Sequence, residues 1–189
     1  SMVHQVYQDR DGYIWTPTFY GLFRYDGYEV RTYKSNLYPP GLLVNNNVLC
    51  VEEDYSHRLW IGTHEGLCML DKRTGKMKKL QLDGVSKQRL NEIHVTKENR
   101  VYLGYIRGMA YYDEMQDTLA LMTRKNCRGD VPESVNIQTL FEDVNGDLLI
   151  GTWKDGLYRY CIKENTFLHY PPLDEENSVL ALFQDSRGV

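Results

Sequence analysis

The stretch LWIGTHEGL, residues 59–67, recurs later in the chain as LLIGTWKDGL, residues 148–157. Both copies have an apolar pair, a glycine, and then a second glycine followed by leucine, whereas the residues between the two glycines differ. Recurrence of one phrase at a long interval is typical of proteins that are built from copies of a single supersecondary unit. The repeat is therefore the feature of the sequence that indicates the fold.

Four copies of the unit can be aligned, and a fifth begins in ALFQDSRGV (181–189). The copies cover residues 7–30, 51–77, 95–119 and 141–167. Their anchor residues, spaced by 45, 42 and 47 positions, are Trp15, Trp60, Tyr102 and Leu149. Their second glycines, spaced by 45, 42 and 48 positions, are Gly21, Gly66, Gly108 and Gly156. An acid precedes the anchor at Asp9, Asp54, Asp143 and Asp185, with Thr96 in the third copy. The agreement of these three landmarks makes a chance repeat a poor explanation.

Within one copy the hydrophobic pattern has a period of two, which is typical of β-strands. In the second copy it predicts strands at 48–54, 58–63, 66–71 and 77–82. Four short antiparallel strands in each copy, with no amphipathic helix, predict an all-β chain folded as a β-propeller. The blades are expected at about 3–47, 48–92, 93–136 and 137–178, with the start of a fifth at 179–189. Because these copies are typical of larger rings, we expect a partial propeller.

Composition excludes several classes of protein. The 189 residues are 42% apolar and 25% charged, the net charge is −4, and no run of eighteen apolar residues is present. These values argue against a nucleic-acid partner and against a membrane-spanning segment. The four cysteines are far apart and include no CxxC pair, so neither a metal site nor a disulfide scaffold is expected. We expect Cys50, Cys68 and Cys161 to be buried thiols.

The repeat resembles a known family. Residues 53–74 and 142–166 match the pattern ED..G.LWIGT..GL..YD..T and resemble the two-component regulator propeller repeat. The first copy, DGYIWTPTFYGLFRYDGYEV (11–30), is similar to the opening blade of the sensor region in hybrid two-component systems of Bacteroides-type bacteria. The third copy departs from the pattern, with YLGYIRGM in place of WIGT..GL. WD40 and kelch repeats fit less well, because the G-H…W-D pair and the double glycine are absent.

The resemblance implies a function. In that family the propellers form a periplasmic sensor that is joined to a membrane helix, a histidine kinase, a receiver and a DNA-binding module, and known members mostly sense glycans. It implies a parent protein anchored in the inner membrane, whose kinase lies outside these 189 residues. An incomplete ring exposes apolar blade faces, so the expected protein partners are the remaining blades, the kinase module and a second copy in a homodimer.

Ligand contacts are expected from the loops between the second and third strands of each blade. These loops read TPTFY (16–20), THE (63–65), YIR (105–107) and TWKD (152–155). Aromatic rings stack on the apolar face of a pyranose, while Arg, Lys and His hydrogen-bond its hydroxyls or a uronate. The predicted oligosaccharide-binding residues are Tyr20, His64, Tyr105, Arg107, Trp153 and Lys154. The alternative is that these side chains only fill the space between blades.

Other features of the sequence have structural explanations or leave alternatives open. The anchors Trp15, Trp60 and Tyr102 are expected in the core. The aspartates that precede the anchors, which we call the turn acids, are expected to bind backbone amides. Asparagines 45–47 lie at the same end as the loops, and RKNCRGD (124–130) is expected to be a solvated loop. No catalytic motif, metal site or cofactor site is recognised. Two alternatives stay open: a protein-interaction propeller, and an enzyme similar to streptogramin lyases, suggested by His64 and Glu65.

Overall fold

The computed structural model describes residues 2–35, 43–82, 88–172 and 178–184. These residues form four sheets, and they include no helix, hence none that could cross a membrane. Most of the fifth copy, including Asp185, lies outside the described residues.

Each sheet is an antiparallel meander of four strands. The first sheet contains β1 (Tyr7–Gln8), β2 (Ile14–Thr18), β3 (Gly21–Tyr25) and β4 (Val30–Tyr33). The second contains β5 (Val48–Glu53), β6 (Arg58–Thr63), β7 (Gly66–Asp71) and β8 (Lys76–Leu80). The third contains β9 (Leu90–Val95), β10 (Val101–Tyr105), β11 (Gly108–Asp113) and β12 (Thr118–Leu121). The fourth contains β14 (Ile137–Glu142), β15 (Leu148–Thr152), β16 (Leu157–Cys161) and β17 (Thr166–Tyr170), to which β13 (Arg128–Gly129) adds a parallel edge. The strands that the period of two predicts in the second copy agree with β5–β8 to within two residues at each end.

Successive sheets pack face to face, with one apolar core in each of the three interfaces. We call the strand that begins each meander the innermost strand. Of these strands, β5 contacts β9 and β9 contacts β14, and β5 also contacts β2. The four sheets do not close into a ring. This arrangement confirms the predicted all-β, partial propeller.

The first glycine of the repeated phrase allows the second and third sheets to approach closely. A Cβ atom on Gly62 would lie 2.5 Å from the Cys50 sulfur and 2.9 Å from Cδ2 of Leu90. Real Cβ atoms do not approach other atoms this closely, so a side chain at this position would push the third sheet away. The buried thiol of Cys50 fills the same space, and Cys68 is buried as predicted, whereas Cys161 is only half-buried.

The turn acids stabilise the connection between the first two strands of a sheet. In the second sheet, Asp54 Oδ1 accepts hydrogen bonds from the backbone N–H groups of Ser56 and Arg58 at 2.8 and 3.0 Å. Its Oδ2 accepts a 2.9 Å bond from Nε1 of Trp60. Asp9 binds Trp15 in the same way at 2.8 Å. The acid and the anchor therefore form one buried unit, which confirms the structural role predicted for both.

The residue before the turn acid links neighbouring sheets, a role that sequence reasoning missed. Glu53 Oε2 accepts the backbone N–H of Arg10 at 2.8 Å, and Glu142 Oε2 accepts that of Lys97 at 2.9 Å. Both donors directly follow the turn acid, or its equivalent, of the preceding sheet. The ED pair of the repeat thus has two functions, since its glutamate binds the previous sheet and its aspartate binds its own turn.

The segment 124–130 is structured rather than a simple solvated loop. Arg128 and Gly129 pair in parallel with Thr166 and Phe167 of β17. Gly129 has a φ of +72°, and a Cβ there would lie 2.1 Å from the Phe167 carbonyl oxygen. The glycine of the RGD triplet is therefore required by close strand packing.

Candidate functional site

The predicted loops all lie at one end of the sheets, which we call the loop end; the opposite end, which carries the turn acids, is the turn end. At the loop end, three of the four loops are hydrogen-bonded to the residue that precedes the innermost strand of their own sheet. The backbone bonds are His64 N to Asn47 O at 2.9 Å, Ile106 N to Arg89 O at 3.2 Å, and Trp153 N to Asn136 O at 2.9 Å. The loops and the starts of the innermost strands therefore form one surface.

In three of the four sheets the second strand ends in a threonine, whose side chain hydrogen-bonds across the loop that follows. Its Oγ1 donates to a glycine carbonyl, in the pairs Thr18–Gly21 (2.9 Å), Thr63–Gly66 (2.8 Å) and Thr152–Gly156 (2.7 Å). Tyr105 occupies this position in the third sheet, where it is only 2% exposed and packs in the core between the second and third sheets. Tyr105 is thus a core residue rather than part of the loop-end surface, and the aligned threonines were the signal for this.

The other five predicted residues are exposed at the loop end. Tyr20 and Trp153 are 62% and 49% exposed, and His64, Arg107 and Lys154 are also exposed. Lys154 has a φ of +66°, a left-handed conformation that is uncommon for a residue with a side chain. Two aromatic rings and three basic side chains are therefore available to solvent on this surface.

The innermost strands carry a β-bulge near the loop end in the second, third and fourth sheets. The residues that lack a direct partner in the ladder are Leu49, Asn91 and Gln138. Bulges of this kind re-aim side chains and occur often beside functional sites. Here two of the three bulged residues carry amides.

These amides belong to a polar network. Asn91 Nδ2 donates to Oδ1 of Asn136 at 3.0 Å and to the carbonyl of Ile137 at 2.7 Å, joining the third and fourth sheets. Gln138 Nε2 donates to the same Oδ1 of Asn136 at 2.8 Å. The network was not predicted, because Asn91 is 45 residues from Asn136 and the bulges bring its amide to the other two.

Buried polar atoms without a hydrogen-bond partner are concentrated at the loop end. Four of the six such side-chain atoms found among the described residues are here: His4 Nε2, Asn47 Oδ1, Gln88 Oε1 and Asn91 Oδ1. Buried polar groups in native proteins are nearly always paired. The loop end is therefore where the described residues depart most often from this rule.

Asparagines 45–47 mainly support their own loop. Asn46 Oδ1 accepts the backbone N–H of Ser35 at 2.8 Å, and Asn45 Oδ1 accepts that of Asn47 at 2.8 Å. Only Asn47 presents an unpaired oxygen. Within the described ranges, no group of three or more His, Cys, Asp and Glu side chains is arranged to hold a metal ion.

Two glutamates on the innermost strands are partly buried. Burial raises the pKa of Glu52, on β5, to about 8, and the negative charge of Glu92 adds to this rise. Burial also raises the pKa of Glu92, on β9, to about 7. Both carboxyls are therefore stable in the folded protein as neutral acids, and ionising them costs folding free energy.

We expect stability to fall as the pH rises from about 5 to 8. Between the ordinary pKa of a glutamate and these raised values, the folded protein holds more of the protons of Glu52 and Glu92 than the unfolded chain does, so each pH increase favours unfolding. Glu52→Gln replaces one of these ionisable carboxyls with a neutral amide. It should therefore raise the melting temperature at pH 8 by about 5–10 °C, with little change at pH 4. Thermal unfolding followed by circular dichroism at both pH values measures this difference.

The control for that experiment is Glu164→Gln in an exposed turn, for which no change is expected at either pH. His94 acts in the opposite direction, because burial lowers its pKa. Its effect is cancelled when variant and unmodified protein are compared at one pH. An equal rise for Glu52→Gln at pH 4 and pH 8 would contradict the assignment of a buried neutral acid.

Part of the chain matches a family at the sequence level. The sequence model of the family described as Two component regulator propeller matches residues 42–65. This stretch includes β5, β6 and the loop after them, and the match confirms the resemblance that the repeated phrase indicated. No curated protein sequence matches the chain.

Solved structures with the same fold include extracellular domains of two-component systems. The extracellular domain of one putative hybrid two component system from B. thetaiotaomicron gives a TM-score of 0.80 at 20% identity, over 100% of this chain and 25% of that chain. A second such domain from the same organism gives 0.77 at 18% identity, over 98% and 24%. Virginiamycin B lyase from Staphylococcus aureus gives 0.76 at 8% identity, over 98% and 61%. The chain spans about a quarter of the length of the two extracellular domains, and at these identities the likeness concerns the fold.

Proposed function

We propose that this chain is part of an extracytoplasmic sensor propeller of a hybrid two-component protein, and that its loop end binds an oligosaccharide. In this proposal the propeller lies in the periplasm, and the kinase, the transcriptional output and the inner-membrane anchor belong to a longer protein. The remaining blades, the kinase module and a second copy are its protein partners. The fold of the extracellular domains from B. thetaiotaomicron and the matched repeat at 42–65 support this choice.

The observation that carries the proposed ligand is the combination of exposed aromatic rings with exposed basic side chains at the loop end. A pyranose offers an apolar face to Trp153 or Tyr20, and its hydroxyl groups accept hydrogen bonds from the basic side chains beside them. The basic side chains of His64, Arg107 and Lys154 add affinity for a uronate. The positive charge of these side chains attracts an anionic sugar. The hydrogen bonds within the short loops favour a site that is formed before the ligand binds.

Trp153→Ala is expected to weaken oligosaccharide binding about tenfold to a hundredfold, which corresponds to about 1–3 kcal/mol for a central aromatic contact. Asn136→Ala should also weaken binding, because it disconnects Asn91 and Gln138. The measurement is isothermal titration with oligosaccharides selected from a glycan array, using this chain and a longer protein that contains it.

The control is Tyr28→Ala, which removes a ring that is 95% exposed at the turn end of the first sheet and should leave binding unchanged. Binding that is indifferent to Trp153→Ala, Tyr20→Ala and Asn136→Ala would remove the loop end from the proposal. Magnesium-dependent turnover of a cyclic depsipeptide that is lost with His64→Ala would instead support the lyase-like alternative. The likeness in fold to virginiamycin B lyase is the reason for this test.

A further inference from the structure

The turn end contains three equivalent grooves, one between each pair of neighbouring sheets. The repeat alignment shows which residues correspond. From the earlier sheet each groove receives the anchor and the residue two positions before it, in the pairs Trp15 and Tyr13, Trp60 and Arg58, and Tyr102 and Arg100. From the later sheet it receives two residues of the third strand and the turn after it, in the pairs Leu70 and Lys72, Tyr112 and Glu114, and Tyr160 and Ile162.

The second groove is closed by an aromatic contact and an ion pair. The Trp60 indole packs on the Tyr112 ring with centroids 4.8 Å apart. Arg58 crosses the groove and donates two hydrogen bonds to the carboxylate of Glu114, at 2.7 and 2.8 Å. The first groove has the same kind of closure, since Lys72 crosses it to reach Asp9 and Asp11 at 2.8 and 2.6 Å.

The third groove has a more distant aromatic contact, and its described residues form no ion pair across it. Its anchor is Tyr102 rather than tryptophan, and its centroid lies 6.0 Å from that of Tyr160 in an edge-on arrangement. Ile162 occupies the place that Glu114 holds in the second groove, so Arg100 has no carboxylate opposite it. The result is an open cavity of about 640 Å³. Its lining includes Arg100, Tyr102, Tyr111, Glu114, Met122, Tyr160 and Ile162. This volume is in the range of small-molecule binding sites, whereas the cavity at the first groove is about 240 Å³.

Among the charged side chains around the cavity, Arg100 is the one whose charge is only weakly neutralised. Arg100 pairs at 3.5 Å with Glu98 of its own turn, but both side chains are more than half exposed, so this pair is weak. Glu114 is already bound by Arg58, and the Asp113 carboxylate accepts two backbone N–H groups of its turn. An anionic group that enters the cavity therefore meets an arginine without a strong competitor.

We propose that this cavity is a second ligand site, which binds a small aryl carboxylate, that is, a planar aromatic ring that carries a carboxylate on a short linker. The ring lies in the open cavity, against the side chains of Tyr102, Tyr111 and Met122 that line it. The carboxylate takes the place of Glu114 and pairs with Arg100. The ligand thus fills the space that the smaller anchor leaves open and supplies the carboxylate that Ile162 lacks. This site lies at the opposite end of the sheets from the proposed oligosaccharide site and is independent of it.

The test is a titration of the chain with indole propionate, with indole and propionate as separate probes, followed by ligand-observed NMR. We expect indole propionate to bind at least tenfold more tightly than either fragment. Arg100→Gln alters an exposed side chain, and it should reduce the affinity for indole propionate to that for indole while leaving indole binding unchanged. Arg73→Gln alters an arginine that is 72% exposed and lies outside the cavity; it is the matched control and should change neither affinity.

Two further variants rebuild the closed groove. Ile162→Glu places a carboxylate opposite Arg100, and Tyr102→Trp restores the indole; each should abolish binding of indole propionate without lowering the melting temperature. Retained binding in a folded Ile162→Glu or Tyr102→Trp protein would overturn the proposal. It would also be overturned if indole propionate fails to bind the unmodified chain at millimolar concentration, or if Arg100→Gln leaves its affinity unchanged.

Discussion

Trp60→Ala is expected to lower the free energy of unfolding by about 3–5 kcal/mol, the usual cost of removing a large aromatic side chain from a core. Trp60 is fully buried, its Nε1 donates to Asp54, and its ring packs on Tyr112 of the next sheet. Its removal leaves a cavity between the second and third sheets and deprives a buried carboxylate of one donor. Both effects act on the same interface, so the loss should be at the upper part of this range.

Urea unfolding measured by far-ultraviolet circular dichroism gives the free energy for each variant. Trp60→Phe keeps most of the ring but removes the N–H group, so we expect an intermediate loss of about 1–2 kcal/mol. Trp153→Ala is the matched control, because this tryptophan is half exposed at the loop end, and its loss should stay below about 1 kcal/mol. A loss for Trp60→Ala no larger than that of the control would show that the anchor does not support the core.

Much of the fold could be predicted because the repeat constrains it several times over. The glycine spacing, the anchors and the turn acids each set the register of the strands independently, and the period of two assigns them to sheets. What the alignment could not provide was contact between copies. Glu53 looks like any charged residue at a strand end, yet its carboxylate binds the backbone of Arg10 in the preceding sheet. That role depends on how sheets stack, which no single copy encodes.

The candidate site was predicted less completely, for a related reason. Exposed loop residues such as Trp153 follow directly from the frame, since the positions between the glycines vary. Tyr105 was assigned to the loop although its frame position is that of the buried threonines, and an aromatic residue there turns into the core. The network of Asn91, Asn136 and Gln138 depends on bulges, which shift one strand by one residue and leave no mark in the hydrophobic pattern.

The last expected result concerns the ion cluster between the first and second sheets. Lys72 is 8% exposed, and its Nζ lies 2.8 Å from Asp9, 2.6 Å from Asp11 and 2.9 Å from Glu53. The carboxylates of Asp9 and Glu53 are fully buried, so removing their shared cation leaves two negative charges uncompensated in the core. Lys72→Met keeps the length of the side chain and should lower the free energy of unfolding by about 3–5 kcal/mol at pH 7.

The neighbouring Arg73 provides the control and acidic pH provides a second test. Arg73 is 72% exposed and pairs only with Asp71 at 3.8 Å, so Arg73→Met should cost less than about 1 kcal/mol. The hydrogen bond from Lys72 lowers the pKa of Asp11, and the stability that this provides is present near neutral pH and is lost as the pH falls through that lowered value. The difference between Lys72→Met and the unmodified protein should therefore shrink as urea unfolding is repeated from pH 7 down to pH 3. A difference that stays constant over this range would mean that Lys72 acts through the packing of its aliphatic stem and not through its charge.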